Sequence, residues 1–120
     1  MGEILKVIQN RYSCRHYLDQ DIEEDKLQRV LEAARLAPSA KNRQEWRFVV
    51  VKNPETRLAL AKAAKNQAFV GEAPVVIAGC AKTDYHMMAC CQPCYPIDLA
   101  IAMEHIALQA VEEGLATCWI

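Results

Sequence analysis

Apolar residues recur along this chain at two spacings, and the change from one to the other marks out its elements. Ile4, Leu5, Val7 and Ile8 fall among Glu3, Lys6, Gln9 and Asn10, an amphipathic pattern that predicts a helix over Met1 to Asn10. A second helix is expected from about Glu23 to Leu36. Asp21, Glu23, Glu24 and Asp25 suit its start, Leu27, Val30, Leu31 and Ala34 repeat at helical spacing, and Pro38 closes it. Trp46 to Val51 is aromatic and β-branched, as a strand requires. Asn53 and Pro54 then supply the cap and first position of a third helix running through Leu58, Leu60 and Ala64.

Pro74 to Cys80 carries the unbroken run Val75, Val76, Ile77 and Ala78, flanked by Gly71 and Gly79, and predicts a buried strand. A polar loop follows from Lys82 to Pro96. The longest helix is expected over Ile97 to Glu113 with Gly114 as its terminator, and Leu115 to Ile120 has strand character. Leu99, Ile101, Met103, Ile106, Leu108 and Val111 make that long helix apolar nearly all round. It must be covered on more than one side, so a second copy of the chain is expected against it. Asp98, Glu104, His105 and Gln109 argue against a membrane span.

Composition narrows the function classes. The 120 residues are 52% hydrophobic and carry a formal net charge of −1, enough for a single domain with a core, spanning 1–120. So even a balance argues against nucleic acid or an anionic membrane surface as partner. The first helix does not have the form of an export signal. Six cysteines are too sparse for a disulfide scaffold and are expected as reduced thiols, which implies a cytoplasmic protein.

Two polar constellations carry the candidate chemistry. Alternate residues of an extended segment share a side, so Arg11, Ser13 and Arg15 line up two guanidinium groups and a hydroxyl, which suits an anion such as a phosphate. Beyond the second helix, Ser39, Asn42 and Gln44 offer hydroxyl and amide groups able to read the mixed donors and acceptors of a flavin ring. Pro38 and Ala40 are rigid or small and let backbone approach a flat ligand. Alone, the first cluster is an ordinary solvated surface and the second an ordinary turn. Their order and separation read as a flavin site.

The arrangement resembles the nitroreductase family of flavin enzymes. The resemblance lies in Arg11-Tyr12-Ser13-Cys14-Arg15, in Ala37 to Trp46 running into Arg47-Phe48-Val49-Val50-Val51, in Ala73-Pro74-Val75-Val76-Ile77, and in the helix from Asp98 ending in Glu113 to Ile120. It implies an α+β fold, a central mixed β-sheet flanked by helices, and an interlocked homodimer with flavin mononucleotide (FMN) at the subunit interface. By position, Arg11 and Ser13 would meet the phosphate and ribityl chain, and Arg15 the ring. Pro38, Ser39 and Ala40 would reach the cofactor of the other subunit, and Asn42 and Gln44 would hydrogen-bond the isoalloxazine. The implied reaction passes hydride from NAD(P)H through the flavin to a small-molecule acceptor such as a nitroaromatic or quinone, with no catalytic acid or base from the protein.

Relatives normally continue past the position of Ile120, so the chain is expected to lack the family's C-terminal part. Glu45 stands where many relatives have proline, a change that the loop is expected to tolerate. Two other readings follow from the residues: a flavin-binding or vestigial dimer without turnover, and a thiol redox or metal module on Cys90, Cys91 and Cys94, in which Cys91-Gln92-Pro93-Cys94 has dithiol spacing within a loop.

Overall fold

A computed structural model describes residues 2–120. Helix α1 (Glu3–Asn10) buries none of its residues, and Ile4, Leu5 and Ile8 stay exposed. Helix α2 (Glu24–Arg35) turns Leu27, Val30 and Ala34 inward. After a short 3-10 turn at Ala40–Asn42, strand β1 (Trp46–Val51) leads to helix α3 (Pro54–Ala63), whose cap is Asn53: its side chain accepts the Thr56 amide at 3.0 Å. Helix α4 (Ala68–Glu72), strand β2 (Val76–Ala81) and helix α5 (Cys94–Glu112) complete the order.

β1 and β2 pair antiparallel, with Trp46 opposite Ala81 and Val51 opposite Val76. The described residues thus supply two strands of the expected sheet, together with an isolated parallel bridge between Ser13 and Thr117. The core lies where α2 and α5 cross beneath this ladder: Val30, Ala34, Ala37, Trp46, Ala102, Ile106 and Ala110. Ala34 and Ala102 are completely covered, and side chains that small let the two helices approach closely. At the rim, Arg29 forks onto the Glu113 carboxylate at 2.6 to 2.9 Å.

Several boundaries move from their sequence expectation. β2 starts at Val76 instead of Pro74, because Gly71 lies inside α4 and the carbonyls of Gly71 and Ala73 are taken by the Arg57 guanidinium. The strand is half-buried, with Gly79 against α5; a Cβ there would stand 3.0 Å from Leu99 Cδ1 and Met103 Sδ. α5 begins at Cys94, three residues early, since Pro96 falls in the first turn where its missing N–H costs nothing. Gly114, at φ +75°, ends α5 by donating to the Val111 carbonyl while Leu115 donates to Ala110. Of the strand expected over Leu115 to Ile120, only Thr117 pairs, at the bridge to Ser13. Among the described residues no helix is long and apolar enough to cross a membrane.

Candidate functional site

The first constellation sits on the backbone that leaves α1. The Arg11 amide closes the helix on the Val7 carbonyl at 3.1 Å, after which Arg11 is extended. The bridge at Ser13 and a 2.9 Å bond from the Cys14 amide to the Thr117 carbonyl hold the segment straight. Cys14 is buried while Ser13 and Arg15 on either side of it are exposed; Tyr12 is exposed as well, so the alternation holds only over Ser13 to Arg15. Tyr17 donates to the Cys14 carbonyl at 2.5 Å, and burial pushes its phenol up to about 12, so it braces the turn as a neutral donor. Arg11 is half-buried, its Nε 3.8 Å from Glu104 of α5.

The second constellation is a tight, strained loop. Lys41, Asn42 and Gln44 adopt left-handed φ angles of 52°, 54° and 53°, a conformation costing roughly 1–2 kcal/mol per non-glycine residue. Ser39 fastens it, its Oγ accepting the Gln44 amide at 3.0 Å and its carbonyl the Asn42 amide at 3.0 Å. Such strain persists only where the surroundings over-determine the backbone. Here two buried carboxylates do so. Asp98, 4% exposed, accepts the Ala40 amide on both oxygens at 3.2 and 3.3 Å. Glu45, 7% exposed, accepts the Cys94 thiol at 3.2 Å and the Asp84 amide at 3.4 Å, and lies 3.6 Å from Arg43 Nε.

Neither carboxylate was among the residues expected from the sequence. Asp98 was legible, since it occupies the same helical stripe as Ala102 and Ile106, four and eight positions on, and a carboxylate on a buried stripe demands a partner. Glu45 keeps the loop's path without a proline because its side chain is bonded inward. An Asp98→Asn variant should lose about 1 kcal/mol of stability, the difference between a charged and a neutral acceptor, visible as a lower urea midpoint. An unchanged midpoint would show that the Ala40 contact does not hold the loop.

Glu45 also predicts an acid response. Burial pushes its carboxyl up, but the hydrogen bonds from Thr83, Cys94 and the Asp84 amide, with the Arg43 charge, outweigh this and hold it below the ordinary 4.5. Its folded pKa lies below the unfolded one. The stabilisation is therefore complete above 4.5 and is lost as the pH falls through the lower folded value. Wild-type protein should lose stability below that pH more steeply than Glu45→Gln when unfolding is followed at successive acidic pH values, and equal slopes would refute the assignment.

Arg15, Ser13 and the side-chain amides of Asn42 and Gln44 are exposed and make no side-chain hydrogen bond within the described residues, so this donor set is free for a planar anionic ligand. No single element gathers the two constellations within one chain: the Ser39 to Gln44 loop is tied to Asp98 near the start of α5, Arg11 lies against Glu104 at its middle, and Ser13 is bridged to Thr117 beyond its end. Nor do these residues line either of two clefts in the chain. One, of about 530 Å³, lies against Arg43, Glu45, Arg47, Lys82, Thr83 and Asp84, and the other, of about 330 Å³, lies between α1, α2 and α5.

The cysteines depart from expectation. Cys94 is fully buried, and burial together with the Glu45 carboxylate pushes its thiol up to about 11. The expected accessible pair of Cys91 and Cys94 is thus corrected: Cys94 is an inert hydrogen-bond donor inside the fold. Among the described residues no three His, Cys, Asp or Glu side chains gather as a metal site.

Comparison with known proteins follows the same lines. The family model described as Nitroreductase family matches residues 8–90. An NADH dehydrogenase of Thermus thermophilus is 52% identical over 67 residues, covering 56% of this chain and 33% of that protein. The crystal structure of a nitroreductase family protein from Clostridium novyi NT superposes with a TM-score of 0.90 at 35% identity, covering 99% of this chain and 69% of the other. An FMN-dependent nitroreductase from Clostridium difficile R20291 superposes with a TM-score of 0.83 at 33% identity, covering 97% and 65%. The chain spans between 33% and 68% of the length of the first relatives it matches.

Proposed function

The chain belongs to the nitroreductase family, and on that footing we propose that it is an FMN-dependent oxidoreductase that works as a homodimer, using NAD(P)H to reduce a small organic acceptor of the nitroaromatic or quinone kind. The observation that carries the reading is the uncommitted donor set: Arg15, Ser13, Asn42 and Gln44 face solvent from segments that buried contacts hold rigid. In this reading Arg11 and Ser13 hold the phosphate and ribityl end. Arg15 faces the ring, and Pro38, Ser39, Ala40, Asn42 and Gln44 complete the site from the other protomer. FMN held by these residues would supply the hydride-transfer chemistry between the nicotinamide and the acceptor.

The protein's part is binding, orientation and electrostatics. Arg15 places positive charge where negative charge grows on reduction, and the amides of Asn42 and Gln44 discriminate the ring's polar edge. No residue is assigned as acid or base. The twofold partner is supported by two features. The two constellations are fastened at different points of α5 within one chain, and Ile4, Leu5 and Ile8 of α1 with Ile97 and Ile101 of α5 leave apolar surface exposed. All six cysteines are free thiols, which supports a cytoplasmic location.

Purified protein titrated with FMN should quench flavin fluorescence, elute as a dimer and oxidise NADH or NADPH when an acceptor is added. Flavin binding without nicotinamide oxidation would instead favour the vestigial dimer. A protein that binds no flavin would overturn both.

A further inference from the structure

The segment after β2 folds into a small hairpin that the proposed flavin chemistry does not use. Met87 pairs with Pro93 in an antiparallel bridge, the Met88 amide donates to the Gln92 carbonyl at 2.8 Å, and the Cys91 amide donates to the Met88 carbonyl at 2.9 Å. At its base the Cys94 amide reaches the His86 carbonyl at 3.0 Å, and Tyr85 meets Tyr95 edge to face at 5.6 Å. Ala89, Cys90 and Cys91 therefore form the tip, a tight turn closed by a left-handed residue. That residue is Cys91, at φ 65°, where glycine or asparagine is at home.

Cys90 and Cys91 are both exposed, and their Cα atoms are one peptide apart, about 3.8 Å. The third thiol of the cluster is withdrawn, since Cys94 is buried on Glu45. Among the described residues no imidazole or carboxylate joins the tip as a third donor, whereas zinc or a harder cation takes three or four such ligands. Two adjacent sulfurs on a pinned turn suit a soft, thiophilic centre that two bonds to sulfur satisfy.

We propose that Cys90 and Cys91 form a dithiol clamp for trivalent organoarsenicals. In the capture of phenylarsine oxide two S–As bonds form, the arsenic–oxygen bond breaks, and the two thiol hydrogens leave with that oxygen as one water. Arsenic stays trivalent, so no oxidant or reductant is consumed. The site is independent of the flavin reading and lies on a different part of the chain.

The test uses the full chain and phenylarsine oxide. Native protein should retain one phenylarsine oxide per chain, less one water, through gel filtration in excess 2-mercaptoethanol, and release it to a 1,2-dithiol. Single thiols such as Cys80 form adducts that the monothiol strips, so Cys80→Ser should behave as wild type. Cys90→Ser and Cys91→Ser, both at exposed tip positions, should each lose the resistant adduct while keeping the wild-type tryptophan fluorescence. Overturning outcomes are an adduct that the monothiol removes from native protein, or a resistant adduct that survives in either single variant.

Discussion

Trp46→Ala is expected to destabilise the fold by about 3–5 kcal/mol, the usual cost of truncating a buried tryptophan. The ring is 8% exposed and packs with Val30 and Ala34 of α2, Ala37 of the connecting loop, and Ala102, Ile106 and Ala110 of α5. Four of those six neighbours are alanines, which have no further side chain to swing into the space, while Leu99, Met103 and Leu115 at the edge of the cluster relax into only part of it, so the cost should fall within that range. Total stability of a domain this size is commonly about 5–15 kcal/mol, so the variant would sit near its unfolding threshold. The loss should also reach the candidate site, because Trp46 follows directly on the strained Ser39 to Glu45 loop. Urea denaturation of the two proteins measures it, and a loss below about 1 kcal/mol would mean that Trp46 is not the keystone of this core.

Arg15→Ala should weaken FMN binding about ten- to a hundredfold, corresponding to the roughly 1.5–3 kcal/mol of one charge-assisted contact. The same change should leave folding stability within about 0.5 kcal/mol of wild type, since Arg15 is exposed and has no ion-pair partner among the described residues. This split distinguishes a binding residue from a structural one. Arg11 would not give so clean a result, being half-buried beside Glu104. Arg15→Lys should recover only part of the affinity, because an ammonium cannot present the planar fork of a guanidinium. Equal affinity of Arg15→Ala and wild type in a flavin fluorescence titration would remove Arg15 from the site.

Local signals carried most of the architecture. The Asn53-Pro54 cap, the β-branched run from Trp46 to Val51 and the Gly114 terminator act through neighbouring residues, and each is where the pattern puts it. The misplaced boundaries have a common origin in distant atoms. β2 loses its first residues to the Arg57 guanidinium, and the tail after Gly114 keeps one bridge because Ser13 alone meets it. The candidate site divides the same way. Its candidate binding residues stand out by spacing and Asp98 by its place on a buried stripe, whereas Glu45, which holds the loop from beneath, is recognisable only once α5 is seen against it. The Cys91 and Cys94 spacing misled because spacing says nothing of burial.

The tie between Ala40 and Asp98 makes an irregular, half-exposed loop behave like regular structure toward solvent. The Ala40 amide is shielded by a carboxylate instead of a backbone carbonyl. Its proton can exchange with deuterium only when the loop lifts from α5. The protection of that one amide therefore reports how often this fastening comes undone, with no ligand required for the reading.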